Sequence, residues 1–514
     1  MSPPAHLDLA PVTARYQLQC ANPDALAGLE SPFQLGPLDQ IVFRSVPIQV
    51  VFVYKMPTSG LQDKELIPVD RLRQALCRLL DYYPHLTGRL HFDPGSNAPE
   101  IRLLGAGAEL LEAHSHEQFA DFASRSTSGR ILVTNLPGSG NDLLTPFDPT
   151  TEGVCRDPIF TVKHTRFACG GVALGVYLNH IVCDAQGFFN LVNDLAELYR
   201  GLRSSSHPAL IQPPEIRSIL RDPQALSPGQ RQAALRYQTT AFFTEDDPRL
   251  EEASAGFEDT PPSANFEVVG RVLRFSGHDL AALKAQASDP SGQGWVSTTE
   301  ALSAYLCQKV YRARLKFLQS QGMLPAVASK MFPGFWISID MRGSERLNLP
   351  PKYFPNCIYP PYTNSLHPSI ADCPLWEVAR SVHDLIRDVD PERMRMTTQW
   401  IAAQPDKSRI RVGFLFGKGS FTVTQWCKMN MYEGNDLDIA ANGEPIRPAL
   451  VAPPFTPISL VDGLAVLLGT NEPIYQSSEQ ARPSPIPSID VNLSFIKPLW
   501  DIFDADEEFR KFYC

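Results

Sequence analysis

The sequence LNHIVCDAQGF, residues 178–188, predicts the end of a β-strand followed closely by the start of an α-helix. Apolar residues alternate along the segment before it, in a series that ends at the histidine: Val172, Leu174, Val176, Leu178 and His180. After it, apolar residues recur at helical spacing: Phe188, Leu191, Val192, Leu195, Leu198 and Tyr199. We therefore expect His180 where a strand ends and the chain turns, a common place for a reactive side chain to meet a cleft.

The length and composition of the chain predict a globular protein of two domains. It has 514 residues, of which 43% are hydrophobic and 20% are charged, and its 46 prolines indicate many turns. The net charge of −10 argues against nucleic-acid binding, which needs a basic surface. No apolar run reaches membrane-spanning length, and the N-terminus lacks the pattern of a secretory signal. We therefore expect a cytoplasmic monomer that does not bind membranes.

The 10 cysteines are scattered along the chain. They form no CxxC pair and no Cys/His cluster at zinc spacing, so the sequence predicts reduced thiols and no metal site.

The residue pattern predicts a mixed α/β protein with an N-terminal domain at 1–202, a crossover linker at 203–265 and a C-terminal domain at 266–514. A capping box from Ser297 to Glu300 marks the start of a helix that is expected to reach Arg314. Further helices are expected at 69–80, 230–243, 280–287 and 376–388. Strands are expected at 48–54, from 89, at 158–167, 172–180, 268–275, 335–341, 411–416, 421–426, 457–468 and 488–495.

His180 is the candidate general base, because the ordinary pKa of histidine lies near neutrality. A histidine at the end of a strand is, however, often only structural. Asp184 stands before Ala-Gln-Gly and is a good helix N-cap, and an ion pair from it to an arginine would hold the loop. Cys183 is an alternative nucleophile with His180 as its base, but a thiol inside Ile-Val-Cys is more often buried packing.

Residues 180–187, HIVCDAQG, resemble the HxxxD motif of the BAHD acyltransferases, which transfer an acyl group from coenzyme A. Other segments resemble parts of the same family in the same order along the chain. Residues 33–39 are similar to its N-terminal loop, 82–89 to its YPHLAGR segment, 297–314 to its Ser-Thr helix and 339–356 to its DGR-to-YFGN stretch. Residues 462–501 resemble the fungal members more than the plant members, so the resemblance covers nearly the whole chain.

The resemblance implies a specific fold and reaction. The expected fold is α/β, with two similar chloramphenicol-acetyltransferase-like domains, mixed sheets, flanking helices and an active-site channel at the domain interface. His180 is expected to take a proton from an acceptor hydroxyl, whose oxygen then attacks the thioester of an acyl-CoA, acetyl-CoA being the expected donor. No cofactor is expected to stay bound. The acceptor is expected to be an alcohol of a specialised metabolite, with an amine as the alternative.

The resemblance also assigns oxyanion stabilisation to Thr424 and Trp426, whose hydroxyl and indole N–H lie two positions apart on one face of a strand. Core packing is an equally open role for Trp426. Lys418, in a Gly-Lys-Gly turn, is the candidate for binding the phosphates of coenzyme A, although such turns are more often hairpin tips.

Asp184 is expected to pair with Arg342, or otherwise with Arg346, and so to serve a structural role beside the site. Gly187 belongs to the same motif and is also expected to be structural.

One segment departs from the family pattern. Trp426 and Tyr432 keep the family spacing, but residues 435–445 replace the DFGWG motif, and Asp436 is assigned to the place of its aspartate. Two other functions stay open: a condensation-type transferase that takes its acyl group from a carrier protein, and a non-acylating protein that binds a ligand or steers a cyclisation.

Overall fold

Two six-stranded sheets organise the chain, which is a mixed α/β protein as the sequence predicts. The computed structural model describes residues 8–126, 129–220, 226–250, 266–323, 331–416, 419–471 and 486–513. Within these ranges no helix is both long and apolar enough to cross a membrane.

The first sheet has the strand order β1-β6-β7-β8-β3-β19. Its strands are β1 (Val12–Leu18), β3 (Pro47–Tyr54), β6 (Ala108–Ser115), β7 (Phe160–Phe167), β8 (Val172–Asn179) and β19 (Leu450–Ala452). The predicted hairpin is present, since β7 and β8 pair antiparallel. Strand β19 comes from residues that we assigned to the C-terminal domain, yet it pairs with β3 through Leu450 and Val53. The two halves therefore share this sheet.

The second sheet has the order β10-β21-β20-β16-β11-β14. Its strands are β10 (Val268–Phe275), β11 (Phe335–Ile337), β14 (Tyr362–Thr363), β16 (Phe421–Gln425), β20 (Leu464–Gly469) and β21 (Ile489–Ile496). The remaining strands form smaller sheets: β2 (Phe33–Gln34), β4 (Arg89–Phe92) and β5 (Pro99–Arg102) together, β9 (Phe242–Thr244) with β15 (Ile410–Val412), β12 (Ile339–Asp340) with β13 (Ile358–Tyr359), and β17 (Asp438–Ile439) with β18 (Pro445–Ile446).

The α-helices pack within both halves. In chain order they are α1 (Val69–Tyr82), α2 (Phe119–Ser124), α3 (Thr151–Arg156), α4 (Ala185–Gly201), α5 (Pro228–Leu235), α6 (Gly277–Gln286), α7 (Thr298–Ser320), α8 (Leu375–Arg387), α9 (Pro391–Ala403), α10 (Lys497–Asp504) and α11 (Glu507–Arg510). Helices α1 and α4 contact each other, and α7 contacts α6, α8 and α10. The capping box at Ser297 and Glu300 starts α7 as predicted, but the helix continues beyond Arg314 to Ser320.

The helix predicted at 230–243 is shorter in the structure, where α5 ends at Leu235 and strand β9 begins at Phe242. The Thr239 hydroxyl holds the turn before β9, because it accepts hydrogen bonds from the backbone N–H groups of Ala241 and Phe242. Such local side-chain bonds compete with helical ones.

The strand predicted at 457–468 also begins later, at Leu464. The Thr456 hydroxyl accepts a hydrogen bond from the N–H of Ser459, and Gly463 adopts a φ of 90°. This part of the predicted strand is therefore a turn. The strand predicted at 335–341 is divided into β11 and β12.

Candidate active site

A cavity of about 730 Å³ is lined by residues from both halves of the chain. His180 and Gln186 reach it from the turn after β8 and the start of α4, and Pro47 and Ile48 from β3. The second sheet and its loops contribute a further set: Trp336, Thr424, Trp426, Val466 and Asn492. Most of this lining is apolar, so the cavity suits a small molecule with few polar groups.

His180 follows directly after strand β8, where the alternation of the strand predicts it, and its side chain lies on the cavity wall. Desolvation by burial lowers the pKa of the imidazole from its ordinary value of 6.5, and the charge of Asp184 offsets only part of this effect. The ring is therefore neutral at pH 7 and has a lone pair with which to accept a proton.

Asp184 caps helix α4 and also binds an arginine from the other half of the chain. Its Oδ1 accepts a hydrogen bond from the N–H of Gly187 at 3.1 Å. Nη1 and Nη2 of Arg342 donate to Oδ2 and Oδ1, both at 2.9 Å, and the N–H of Cys357 donates to Oδ2 at 2.8 Å. Four donors occupy the carboxylate, so Asp184 anchors the turn that carries His180.

Arg342 is buried and its other donors also have acceptors. Its Nε donates to the carbonyl of Tyr353, and Nη2 donates to the carbonyl of Pro355. Arg346, the second candidate, instead donates to the sulfur of Met341 at 3.0 Å. Of the two arginines, the structure brings Arg342 to Asp184.

Gly187 lies against the backbone of the loop that follows Arg342. A Cβ at this position would be 2.3 Å from the carbonyl oxygen of Phe354 and 2.9 Å from the Cβ of Cys183. Position 187 therefore lacks room for any larger residue, which explains the glycine in this motif.

Thr424 and Trp426 both line the cavity, one in β16 and the other just after it. The indole N–H of Trp426 donates to the Thr424 hydroxyl oxygen at 3.1 Å. The ring of Trp426 also meets Phe189 of helix α4 edge to face, with 5.7 Å between centroids. Because its oxygen accepts from the indole, the Thr424 hydroxyl can direct its own proton into the cavity.

Asn356 is the last residue of the stretch at 339–356 that resembles the family, and the sequence assigns it no role. Its Nδ2 donates to the carbonyl of His180 at 3.0 Å and to the carbonyl of Ile181 at 3.3 Å. In the described part of the chain, Oδ1 of Asn356 and Nδ1 of His180 are both buried and neither has a hydrogen-bond partner. Asn356 is therefore a candidate to hold the backbone of the turn that carries the imidazole.

Cys183 is fully buried, and burial raises the pKa of its thiol well above the ordinary value. A thiol that stays protonated is a poor nucleophile, which argues against the alternative that His180 activates Cys183. Lys418 lies outside the described residues.

In the segment that replaces DFGWG, the fully buried carboxylate belongs to Asp438 rather than to Asp436. Asp438 binds Arg71 and Arg203, whereas the partly exposed Asp436 lies 3.5 Å from Arg200. The carboxylate that this segment buries against arginines of the N-terminal half is therefore Asp438, while the assignment of Asp436 to the place of the family aspartate stays a prediction.

Across the described ranges, one group of three side chains has metal-ligand chemistry: His367, Cys373 and Glu377. The N–H of Ser369 donates to Nδ1 of His367 at 3.2 Å, so the neutral ring carries its proton on Nε2. That nitrogen lies 3.5 Å from Glu377. Because Nε2 carries the proton, it has no lone pair to offer a metal ion.

Comparisons with known proteins show which family the chain belongs to. A sequence model described as the transferase family matches residues 21–436. The chain is 26% identical to shikimate O-hydroxycinnamoyltransferase of Nicotiana tabacum, over 71% of this chain and 75% of that protein. It is also 26% identical to hydroxycinnamoyl-CoA:5-hydroxyanthranilate N-hydroxycinnamoyltransferase of Avena sativa, over 75% of this chain and 79% of that protein.

A solved structure shares the fold. TRI101 of F. graminearum, determined with coenzyme A and T-2 mycotoxin, superposes with a TM-score of 0.62 at 18% identity, over 93% of this chain and 98% of that chain. The family model covers most of the sequence, and the solved neighbour has the same arrangement of two sheet-containing domains. The chain therefore belongs to this transferase family, the BAHD acyltransferases, and is an acyl-CoA-dependent acyltransferase.

Proposed function

We propose that the protein transfers an acyl group from acyl-CoA to the hydroxyl of a small molecule, with His180 as the general base. The observation that carries this proposal is the position of the His180 imidazole on the wall of a cavity shared by both halves of the chain, where desolvation lowers its pKa. A base that is unprotonated at neutral pH can take a proton from an alcohol as that alcohol becomes a nucleophile.

The reaction follows from the placement of the imidazole. Nδ1 of the ring is buried, so we assign the role of the basic nitrogen to Nε2. Nε2 takes the hydroxyl proton while the acceptor oxygen forms a bond to the thioester carbonyl carbon. The resulting tetrahedral intermediate then breaks its C–S bond, and the imidazolium returns the proton to the thiolate of coenzyme A. No acyl-enzyme forms, so the buried Cys183 has no part in the reaction.

Thr424 stabilises the oxyanion of that intermediate. Its oxygen already accepts a hydrogen bond from the indole N–H of Trp426, so its hydroxyl proton is free to point at the developing negative charge. Trp426 acts through Thr424 by holding the hydroxyl in this orientation and by increasing its polarity.

Asp184, Arg342 and Gly187 hold the turn that presents His180, and they do not exchange protons with the substrate. The carboxylate of Asp184 is occupied by four donors, which supports this division of roles. Lys418 stays the candidate for binding the phosphates of coenzyme A, since a lysine ammonium binds phosphate well.

Acetyl-CoA is the donor that we propose from the sequence. The hydroxycinnamoyltransferases among the relatives favour a second candidate, a hydroxycinnamoyl-CoA. One of these relatives acts on an amine, which keeps N-acylation as the alternative to O-acylation.

These choices are tested by incubating the protein with acetyl-CoA or a hydroxycinnamoyl-CoA and a panel of alcohols and amines. Released thiol is followed with a disulfide dye, and the product mass identifies the acylated acceptor. Thiol release that depends on the acceptor supports acyl transfer, and the more rapidly used donor identifies the acyl group. If neither thioester reacts but a carrier-protein thioester does, the protein is a condensation-type transferase. A ligand that binds without acylation would instead indicate a binding or cyclisation protein.

A further inference from the structure

Asp39 is a buried carboxylate close to the candidate site but outside the cavity wall. It ends the N-terminal loop at 33–39 and is only 1% exposed. Its Oδ2 accepts a hydrogen bond from the N–H of Gly36 at 2.8 Å. Its Oδ1 accepts two from Asn356, one from the backbone N–H and one from Nδ2, both at 2.8 Å. The carboxylate therefore joins the N-terminal loop to a residue 317 positions later in the chain.

These contacts fix the orientation of the Asn356 amide. Nδ2 faces three oxygens, which belong to the carboxylate of Asp39 and to the carbonyls of His180 and Ile181. Rotating the amide by 180° would place Oδ1 against the same three oxygens, which is strongly unfavourable. The Nδ2 group is therefore held against the two carbonyls of the turn that carries His180.

The carboxylate of Asp39 is costly to bury at this position. In the described part of the chain, Asp39 forms no ion pair with a lysine, arginine or histidine, whereas Asp184 has Arg342. Burial raises the pKa of Asp39 to about 7, although the hydrogen bonds from Asn356 and Gly36 oppose this rise. Keeping an unpaired carboxylate in such a place is energetically costly. A carboxylate oxygen is a strong hydrogen-bond acceptor, so Asp39 keeps the Asn356 amide in one specific orientation.

We infer that Asp39 is a positioning residue for the acyl transfer: it holds the Asn356 amide, whose Nδ2 binds the carbonyls of His180 and Ile181 and so fixes the turn that presents the imidazole. This inference rests on the proposed function, because it assigns a role in catalysis to a contact that acts through His180. It makes the N-terminal loop at 33–39 part of the catalytic apparatus, although the loop contributes Leu35 and Asp39 to the protein interior rather than a group to the reaction.

The test is steady-state kinetics of Asp39→Asn and Asn356→Ala, each alone and combined. Asp39→Asn removes the negative charge and allows the Asn356 amide to rotate. We expect kcat to fall by about 10–100-fold, as for other residues that orient a catalytic group, while KM for acyl-CoA changes less than about threefold. Because Asp39 acts through Asn356, the double variant should be no slower than Asn356→Ala alone.

Asp194→Asn is the matched control. Asp194 is fully buried in α4 and binds the Tyr83 hydroxyl and Lys352, away from the cavity lining. The Asp194→Asn variant should have a lower Tm and an unchanged kcat. If Asp39→Asn does not fold, Asp39→Glu replaces it, since the longer side chain keeps the charge but displaces the acceptor, and its kcat should also fall.

The inference would be overturned if a folded Asp39 variant kept the wild-type kcat. It would also be overturned if the loss of kcat in the double variant equalled the product of the losses in Asp39→Asn and Asn356→Ala. Neither result would affect the proposed function, which fails separately if His180→Ala retains full turnover.

Discussion

The guanidinium of Arg342 meets the carboxylate of Asp184 through two hydrogen bonds of 2.9 Å, although the two residues stand 158 positions apart in the chain. Both side chains are nearly inaccessible, with 7% and 3% of their surfaces exposed. This ion pair connects the turn after β8 to the loop after β12, and it therefore ties the two halves of the chain together beside the cavity.

Breaking this pair should destabilise the protein. In Asp184→Asn the arginine loses its buried counter-charge and keeps only the partly exposed carboxylate of Asp340, and we expect the free energy of unfolding to fall by about 3 kcal/mol. Urea denaturation measures the change. Asp501→Asn is the control, because the Lys497–Asp501 pair is 61% and 60% exposed and should contribute less than about 1 kcal/mol. Unchanged stability with lost activity in Asp184→Asn would show that Asp184 acts in the chemistry instead.

Gly187→Ala should also lower stability, because its Cβ would lie 2.3 Å from the carbonyl oxygen of Phe354, a backbone atom with little freedom to move. A loss of about 1–3 kcal/mol is expected. Gly229→Ala in helix α5 provides the comparison, since a Cβ there meets nothing within 4 Å and should leave stability unchanged or increase it. Equal stability of the two variants in thermal unfolding would refute the packing argument.

Replacing Thr424 tests the oxyanion contact. Thr424→Ala removes the hydroxyl and should lower kcat by about 10²–10³-fold, whereas Thr424→Ser keeps the hydroxyl and should retain most of the activity. Initial rates at saturating acyl-CoA and acceptor provide the comparison. A serine variant as slow as the alanine variant would mean that the threonine methyl packing, not the hydroxyl, is what the reaction needs.

The pH dependence of kcat/KM should follow the neutral form of His180. Desolvation lowers its pKa below 6.5, and the base is lost when the pH falls below that pKa. We therefore expect constant activity at neutral pH and an acid limb with a midpoint below pH 6.5. A kcat/KM that rises as the pH is lowered from neutral would contradict the assignment of His180 as the base.

The sequence predicted the arrangement around His180 well, because alternation in β8 and the Asp184 cap of α4 are local signals. It also placed Thr424 and Trp426 on one face of a strand, and both reach the cavity. The choice of Arg342 over Arg346 needed the family resemblance, since no local pattern connects either arginine to Asp184.

Other features depend on contacts between distant residues. Strand β19 has only three residues and belongs to the first sheet because β3 has a free edge there, which no local pattern reveals. Asn356 was visible in the sequence, but the orientation of its amide depends on Asp39 at the other end of the chain. Asp438 likewise differs from Asp436 only through burial against Arg71 and Arg203.

The rate of coenzyme A thiol release by His180→Ala, measured beside the wild type at saturating donor and acceptor, tests the central claim most directly. Removing the general base should lower kcat by about 10²–10⁴-fold, while the melting temperature stays close to that of the wild type. Equal turnover by the two proteins would contradict the assignment of His180 as the base.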